Sequence, residues 1–251
     1  MNRKLRRWFI FALCLGLAIV LLRSPSQVVA SPSTAPASTE LRGVWLTNVA
    51  SPVLFMPWGV NRALHQLSGL NFNTVYPVVW NRGHTFYPSE VAVRVTSRTQ
   101  EPLLWLTRLE QDVLAEIVKQ GNRRKLRIIP WFEYGFMAPA RSGLARQHPD
   151  WLAAKRGSTK TLKKVPDARD MLDSASPKEL PVSQQVRQFL RDKLTRNKVW
   201  LNPLHPEVQQ FILDLITEVV RKYDVSGFLL DDLFGLPFEL GFDAFTVKLY
   251  Q

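Results

Sequence analysis

Four apolar runs contain an aromatic residue and end in a polar one: Val44-Trp45-Leu46-Thr47-Asn48, Val78-Val79-Trp80-Asn81, Ile129-Pro130-Trp131-Phe132-Glu133 and Phe228-Leu229-Leu230-Asp231-Asp232. Each predicts a buried strand, and together they place strands at Leu41–Asn48, Asn73–Trp80, Leu126–Glu133 and Val225–Asp232. Between them a 3.6-residue period predicts helices. The first runs from Pro57 to Leu70. The second runs from Pro102 to Gln120, with Leu103, Leu106, Leu109, Val113, Leu114, Ile117 and Val118 on one face and Gly121 as its stop. The third opens at His205-Pro206 and reaches about Tyr223, and Phe242 to Gln251 begins a fourth.

Strands that alternate with helices predict an α/β fold with a parallel sheet whose functional groups collect at the C-terminal edge. An eight-unit barrel typically takes about 250 residues. The 212 residues from Glu40 to Gln251 hold about four strands, so the expected architecture is the N-terminal half of a (β/α)8 TIM-type barrel. Two stretches interrupt the alternation: a loop through Gly83, His84 and Tyr87, and a longer excursion from Tyr134 to Lys198. Loops of that length belong to a lid or an active-site face.

The start of the chain has a different character. Arg3, Lys4, Arg6 and Arg7 precede an uncharged run from Trp8 to Leu22 and the small-residue exit Val28-Val29-Ala30. This predicts a signal peptide over residues 1–30 and an exported protein, periplasmic or extracellular, or membrane-anchored if the signal stays uncleaved. Residues 31–39, rich in Pro, Ser, Thr and Ala, read as a linker. The single cysteine, Cys14, lies within the apolar run. The exported chain would then carry neither a disulfide nor a thiolate metal site.

The net charge is +12, and five basic and no acidic side chains fall in residues 1–30. Residues 155–198 hold twelve basic and five acidic side chains, which accounts for the remaining excess. That segment, rich in Ser, Pro and charge, reads as a solvated, flexible insertion. A nucleic-acid binder spreads its cations over a folded face with aromatics between them, so no nucleic-acid partner is expected. A weaker reading, binding of an anionic envelope polymer through this segment, predicts a steep loss with salt.

The chemistry lies at the strand ends. Glycoside hydrolysis needs two carboxyl groups flanking the scissile bond, and the candidates are Glu133, Asp231 and Asp232. Alternation along a strand sets Asp231 and Asp232 on opposite faces. Asp231, sharing a face with Leu229, is the better inward residue, and Asp232 serves equally well as a cap for the next helix. Trp45, Asn48, Trp80, Asn81, Trp131, Tyr134, Trp200 and Asn202 are candidate substrate-binding residues, the aromatics as platforms for sugar rings. His65, His84, His148 and His205 show no metal-ligand spacing, and His84, beside Tyr87, is the one nearest a strand end. No metal or other cofactor is expected, and a phosphate loop and a serine nucleophile elbow are both missing from the sequence.

Leu41-Arg42-Gly43-Val44-Trp45-Leu46-Thr47-Asn48, Asn71-Phe72-Asn73-Thr74-Val75-Tyr76-Pro77, Pro130-Trp131-Phe132-Glu133-Tyr134-Gly135-Phe136, Trp200-Leu201-Asn202-Pro203 and Asp231-Asp232 together resemble the glycosyl-hydrolase-like 10 family. The resemblance runs over nearly all of residues 40–251. It implies a TIM-barrel glycosidase-like domain, apparently truncated after the fourth strand, that acts outside the cytoplasm on a polysaccharide such as peptidoglycan glycan. Two functions are therefore expected from the sequence: glycoside hydrolysis with Asp231 and Glu133, or non-catalytic carbohydrate binding by a vestigial half-barrel. Four strands leave two sheet edges open, which predicts a homodimer through those edges.

Overall fold

A computed structural model describes residues 40–49, 51–109, 111–157, 198–230 and 234–251. The signal peptide, the linker, residues 158–197 of the basic segment, Asp231 and Asp232 lie outside the described residues. In chain order the elements are β1 (Gly43–Leu46), α1 (Gly59–Gly69), β2 (Thr74–Asn81), β3 (His84–Thr85), α2 (Glu90–Thr96), α3 (Pro102–Arg108), α4 (Val113–Arg123), β4 (Arg127–Ile128) and β5 (Trp131–Tyr134). There follow β6 (Met137–Pro139), α5 (Gly143–Gln147), a 3-10 turn (Pro149–Trp151), β7 (Lys198–Trp200), α6 (Pro206–Lys222), β8 (Leu229–Leu230) and α7 (Ala244–Leu249).

Strands β1, β2, β5 and β8 lie side by side in chain order, and each neighbouring pair is parallel. Helices separate them along the chain, so this is an α/β parallel sheet with the strand order of the first four units of a (β/α)8 barrel. All eight residues of β2 are buried, as expected of a central parallel strand covered on both faces. Among the described residues, β1 pairs only with β2, and β8 only with β5.

Two predicted elements are broken in two. The third strand splits between β4 and β5 because Pro130 has no N–H to donate. The ladder still spans the gap, since Ile129 N donates to Val75 O at 3.0 Å and Pro130 O accepts from Leu229 N at 2.8 Å. The second helix splits into α3 and α4 at Leu109, which is left-handed with φ 49°. The Asp112 side chain then caps α4 by accepting from Ala115 N at 3.0 Å. Buried Arg108 turns back to bond Met56 O and Glu116. Gly121 does not stop the helix, which continues to Arg123. It is a packing glycine, because a Cβ there would stand 2.5 Å from Ile128 Cδ1. The excursion after Tyr134 is also partly ordered, with β6 and β7 forming an antiparallel pair, Met137 opposite Trp200.

Helix α2 has no counterpart in the sequence reading. Ser89 caps it by accepting from Ala92 N at 2.9 Å, and Glu218 of α6 holds its start. One Glu218 oxygen accepts from Tyr87 Oη at 2.9 Å and from Ser89 Oγ. The other accepts from the backbone N–H groups of Glu90 at 2.7 Å and Val91 at 3.3 Å. Tyr87 packs edge-on to Tyr223 at 5.8 Å, and Tyr223 donates to Asp112 Oδ2 at 2.6 Å.

Burial, followed by the charge of Glu218, pushes the Tyr87 phenol far above its ordinary value of 10.0. Burial and the bond to Asp112 do the same to Tyr223. The folded chain thus holds both phenolic protons more tightly than the unfolded chain, so unfolding at alkaline pH releases protons and stability falls as pH rises. Stability against urea is expected to change little through neutral pH and to fall above about pH 10, by up to ~1.4 kcal/mol per pH unit for each tyrosine. Urea titrations across that range check this, and the alkaline slope should flatten in a chain carrying Tyr87→Phe and Tyr223→Phe.

Candidate active site

The register of β1 on β2 sets Trp45 opposite Tyr76, and the two rings stack at 4.9 Å and 25°. Trp131 of β5 meets Trp45 edge-on at 6.5 Å. Gly43 makes room for this cluster, since a Cβ there would stand 2.5 Å from Tyr76 Cε2. Tyr76 and Trp131 are buried, whereas Trp45 is 52% exposed, so the cluster presents one open indole face.

Two residues beyond Trp45 is Thr47, and two beyond Trp131 is Glu133, so alternation carries both onto the face of the cluster. Thr47 Oγ1 donates to Glu133 Oε2 at 3.0 Å, and Asn81 Nδ2 donates to the same oxygen at 2.8 Å. Asn81 Nδ2 also reaches Asn48 Oδ1 at 2.7 Å. Residues from the ends of three adjacent strands thereby converge on one carboxylate. Glu133 is 9% exposed, and charge-assisted bonds of this kind are stronger than neutral ones.

Strict alternation would not have brought Asn81 here. It would put Tyr76, Val78 and Trp80 on one face and Asn81 on the other. The β2–β5 register slips between Val78 and Trp80, and again between Trp80 and Asn81. Such an irregularity re-aims side chains. Trp80 turns into the core, 5.5 Å from Phe211 of α6 and 6.2 Å from Phe132, and its Nε1 donates to Gly135 O at 2.9 Å. It is fully buried, which corrects the expectation of a sugar platform. The slip sends Asn81 to Glu133 instead.

The remaining sequence candidates divide. Tyr134 lies under the Arg82 guanidinium, 5.0 Å from the ring centroid. Arg82 and Gly83 both have positive φ, 52° and 81°, which suits the tight two-residue turn that joins β2 to β3. His84 faces Glu101 across 3.9 Å. Trp200 and Asn202 are not at the edge of the parallel sheet, as the sequence suggested. Trp200 belongs to the separate β6–β7 pair and lines a cavity of about 1150 Å³ with Leu152, His205 and Phe242, none of which joins the Glu133 network. Asn202 is fully buried and bonds Asp243 at 3.0 Å and Thr246 at 2.7 Å, so it anchors α7. Strand β8, which leads to Asp231 and Asp232, sets Leu229 opposite Trp131. The sequence reading missed Thr47 and Tyr76 as site residues, although the two-residue step from Trp45 marks the first.

The family model of glycosyl hydrolase-like 10 matches residues 40–190 and 164–251. The chain belongs to the glycosyl hydrolase-like 10 family. It is similar to the glycosyl hydrolase DigH of Escherichia coli (strain K12), 26% identical over 262 residues covering 93% of this chain and 53% of that protein. The DigH of Shigella flexneri matches with the same identity and coverage. The chain thus spans about half the length of the curated relatives it matches. Among solved structures, a glycoside hydrolase family 20 β-N-acetylglucosaminidase aligns at a TM-score of 0.43 with 14% identity, over 78% of this chain and 38% of that one. An α-galactosidase from Thermus thermophilus aligns at 0.43 with 16% identity, over 77% and 31%. In this glycosyl hydrolase-like 10 chain, Gly135 directly follows the Glu133 strand, and a Cβ on it would overlap the Phe234 ring.

Proposed function

We propose that the chain is an exported protein that hydrolyses or binds an envelope glycan such as peptidoglycan. The observation that carries this reading is the convergence of Thr47 and Asn81 on Glu133, with Asn48 bonded to Asn81, on the sheet face that also carries the half-exposed Trp45. An aromatic face next to a hydrogen-bonded carboxylate suits a sugar ring stacked on one side and a glycosidic bond held at the other. Two donors converge on one oxygen of Glu133, an arrangement that suits a nucleophile, a base or an anchor for a sugar hydroxyl. Asp231 then supplies the proton to the leaving oxygen as the anomeric C–O bond breaks, water takes the anomeric carbon, and a carboxylate of the pair takes the proton that the water gives up. The charged start and apolar run of residues 1–30 support export.

A second reading, glycan binding without turnover, is favoured by the half-exposed Trp45 ring stacked on Tyr76, which can hold a sugar ring without a reacting pair of carboxyls. Among the described residues β1 pairs only with β2 and β8 only with β5, and unpaired edges of this kind support self-association into a homodimer. The test is incubation of the 251-residue chain and its Asp231→Asn variant with purified peptidoglycan sacculi. Reducing ends released by the parent and lost in the variant are the expected result. Cosedimentation without release selects the binding reading, and neither release nor cosedimentation overturns both.

A further inference from the structure

Both strands that lead to a candidate carboxyl run on into the lining of one cavity. Beyond Glu133 the chain continues through β6, and Ala140, just past its end, lines the cavity. Glu239, eight residues after Asp231 in the chain, lines it too, with Leu240 and Phe242. Trp200, also in the lining, lies opposite Met137 in the β6–β7 pair. Met137 is four residues from Glu133, so chain geometry keeps the Trp200 backbone within about 20 Å of the Glu133 backbone. The cavity is knitted together by its own hydrogen bonds. Ala153 N donates to Trp200 O at 2.8 Å and Phe242 N to Ala154 O at 2.9 Å, which ties residues 152–155 to β7 on one side and to residues 240–242 on the other. Its volume of about 1150 Å³ exceeds the range of about 300–1,000 Å³ usual for a site that takes one small ligand.

The lining joins aromatic rings to charges of both signs. Trp200, His205, Phe242 and Phe245 supply the rings, and Phe242 stays 45% exposed although Arg156 stands over it at 5.8 Å. Glu239 pairs with Lys155 at 3.5 Å, and Asp243 is occupied by Asn202 Nδ2 and Thr246 N, both at 3.0 Å. Lys198 and Asp150 complete the charged lining, one a donor and the other an acceptor. Hydroxyl groups both donate and accept, and ring faces take the apolar side of a sugar. An acyl chain fits less well, because five ionisable side chains would meet it.

We propose that this cavity is a second station for the glycan: one stretch of the polymer lies over Trp45 and Glu133, and a further stretch lies against Phe242 and Trp200. The inference rests on the glycan reading above and adds that the chain selects long glycans over short ones. A polymer held at one station meets the other intramolecularly, which raises its affinity above that of a fragment reaching only one.

The experiment is calorimetric titration with chitobiose, chitohexaose and decanoate. The proteins are the 251-residue chain and its Phe242→Ala and Phe242→Tyr variants, each also carrying Asp231→Asn so that the sugars stay whole. With Phe242 in place, chitohexaose is expected to bind about tenfold or more tightly than chitobiose. Phe242→Ala should lose about tenfold for chitohexaose and leave chitobiose unchanged, whereas Phe242→Tyr, which keeps the ring, should retain both affinities. The melting temperature should move little, because the ring is half exposed. Equal affinity for the two lengths, chitohexaose binding untouched by Phe242→Ala, or a parallel loss for both lengths each overturn the inference while chitobiose binding upholds the glycan reading. Phe242-dependent binding of decanoate in place of chitohexaose assigns the cavity to an acyl chain and overturns it as well. Should Phe242→Ala fail to fold, the length dependence with Phe242 in place decides. Binding of neither sugar also overturns the inference, and the sacculus assay then decides separately whether the glycan reading stands.

Discussion

Glu133→Gln is expected, on the hydrolase reading proposed above, to lower glycan turnover by about three orders of magnitude, the scale on which acid, base and nucleophilic groups contribute. The melting temperature should move little. Glutamine has almost the shape of glutamate, and its amide oxygen can take the place of Oε2 in accepting from Thr47 Oγ1 and Asn81 Nδ2. What disappears is the negative charge. If that charge acts on the reacting bond, kcat falls while glycan affinity measured by calorimetry stays within a few-fold. If Glu133 only anchors a hydroxyl, affinity falls and kcat does not. Full turnover with unchanged affinity would remove Glu133 from the site. Glu133→Ala is the less informative change, because it strips the network and leaves the Asn81 amide with only one of its two acceptors, Asn48 Oδ1.

Glu218→Ala is expected to destabilise the fold by roughly 2–4 kcal/mol, because it removes the acceptor from several groups at once and each buried group left unsatisfied costs about 1–3 kcal/mol. Tyr87 keeps a second bond, to Leu215 O at 3.3 Å. Ser89 loses its carboxylate partner, and so do the first two N–H groups of α2. Glu218→Gln should cost less, since its oxygen can face Glu90 N and Val91 N while the two hydroxyls rotate to accept from its amide. Urea unfolding of both variants measures the difference. A loss under about 1 kcal/mol in the alanine variant, the worth of one ordinary hydrogen bond, would show that α2 does not depend on this carboxylate. The consequence reaches the site, because α2 follows the β2–β3 hairpin that carries Asn81 at its turn.

Local patterns made much of the fold legible. The apolar stripe of Val113, Leu114, Ile117 and Val118 is buried as its period requires, and the Pro206 start and the length of α6 match the sequence closely. Glu133 was readable as a polar residue closing an apolar run. Leu109 was not readable as a break, because it falls in phase with the apolar face, and its left-handed turn is dictated by Arg108 reaching back to Met56 and Glu116. The aromatics were harder still. Trp45, Trp80, Trp131 and Trp200 occupy similar places in their runs, yet one is open, two are buried in different surroundings and one sits on a separate two-stranded sheet.

The sequence by itself determined the alternation of strands and helices, the parallel sheet that follows from it, and the edge at which polar groups gather. These rest on repeats of two and 3.6 residues, which each segment expresses through its own backbone geometry. Tertiary structure alone decided which of those groups meet. The register slip that turns Trp80 inward and Asn81 toward Glu133 exists only when β2 lies against β5, and the start of α2 is held by Glu218 from more than 120 residues away. Periodicity records which face of a segment is apolar, but a slip in register or a distant partner is settled by packing between segments that the chain brings together only on folding.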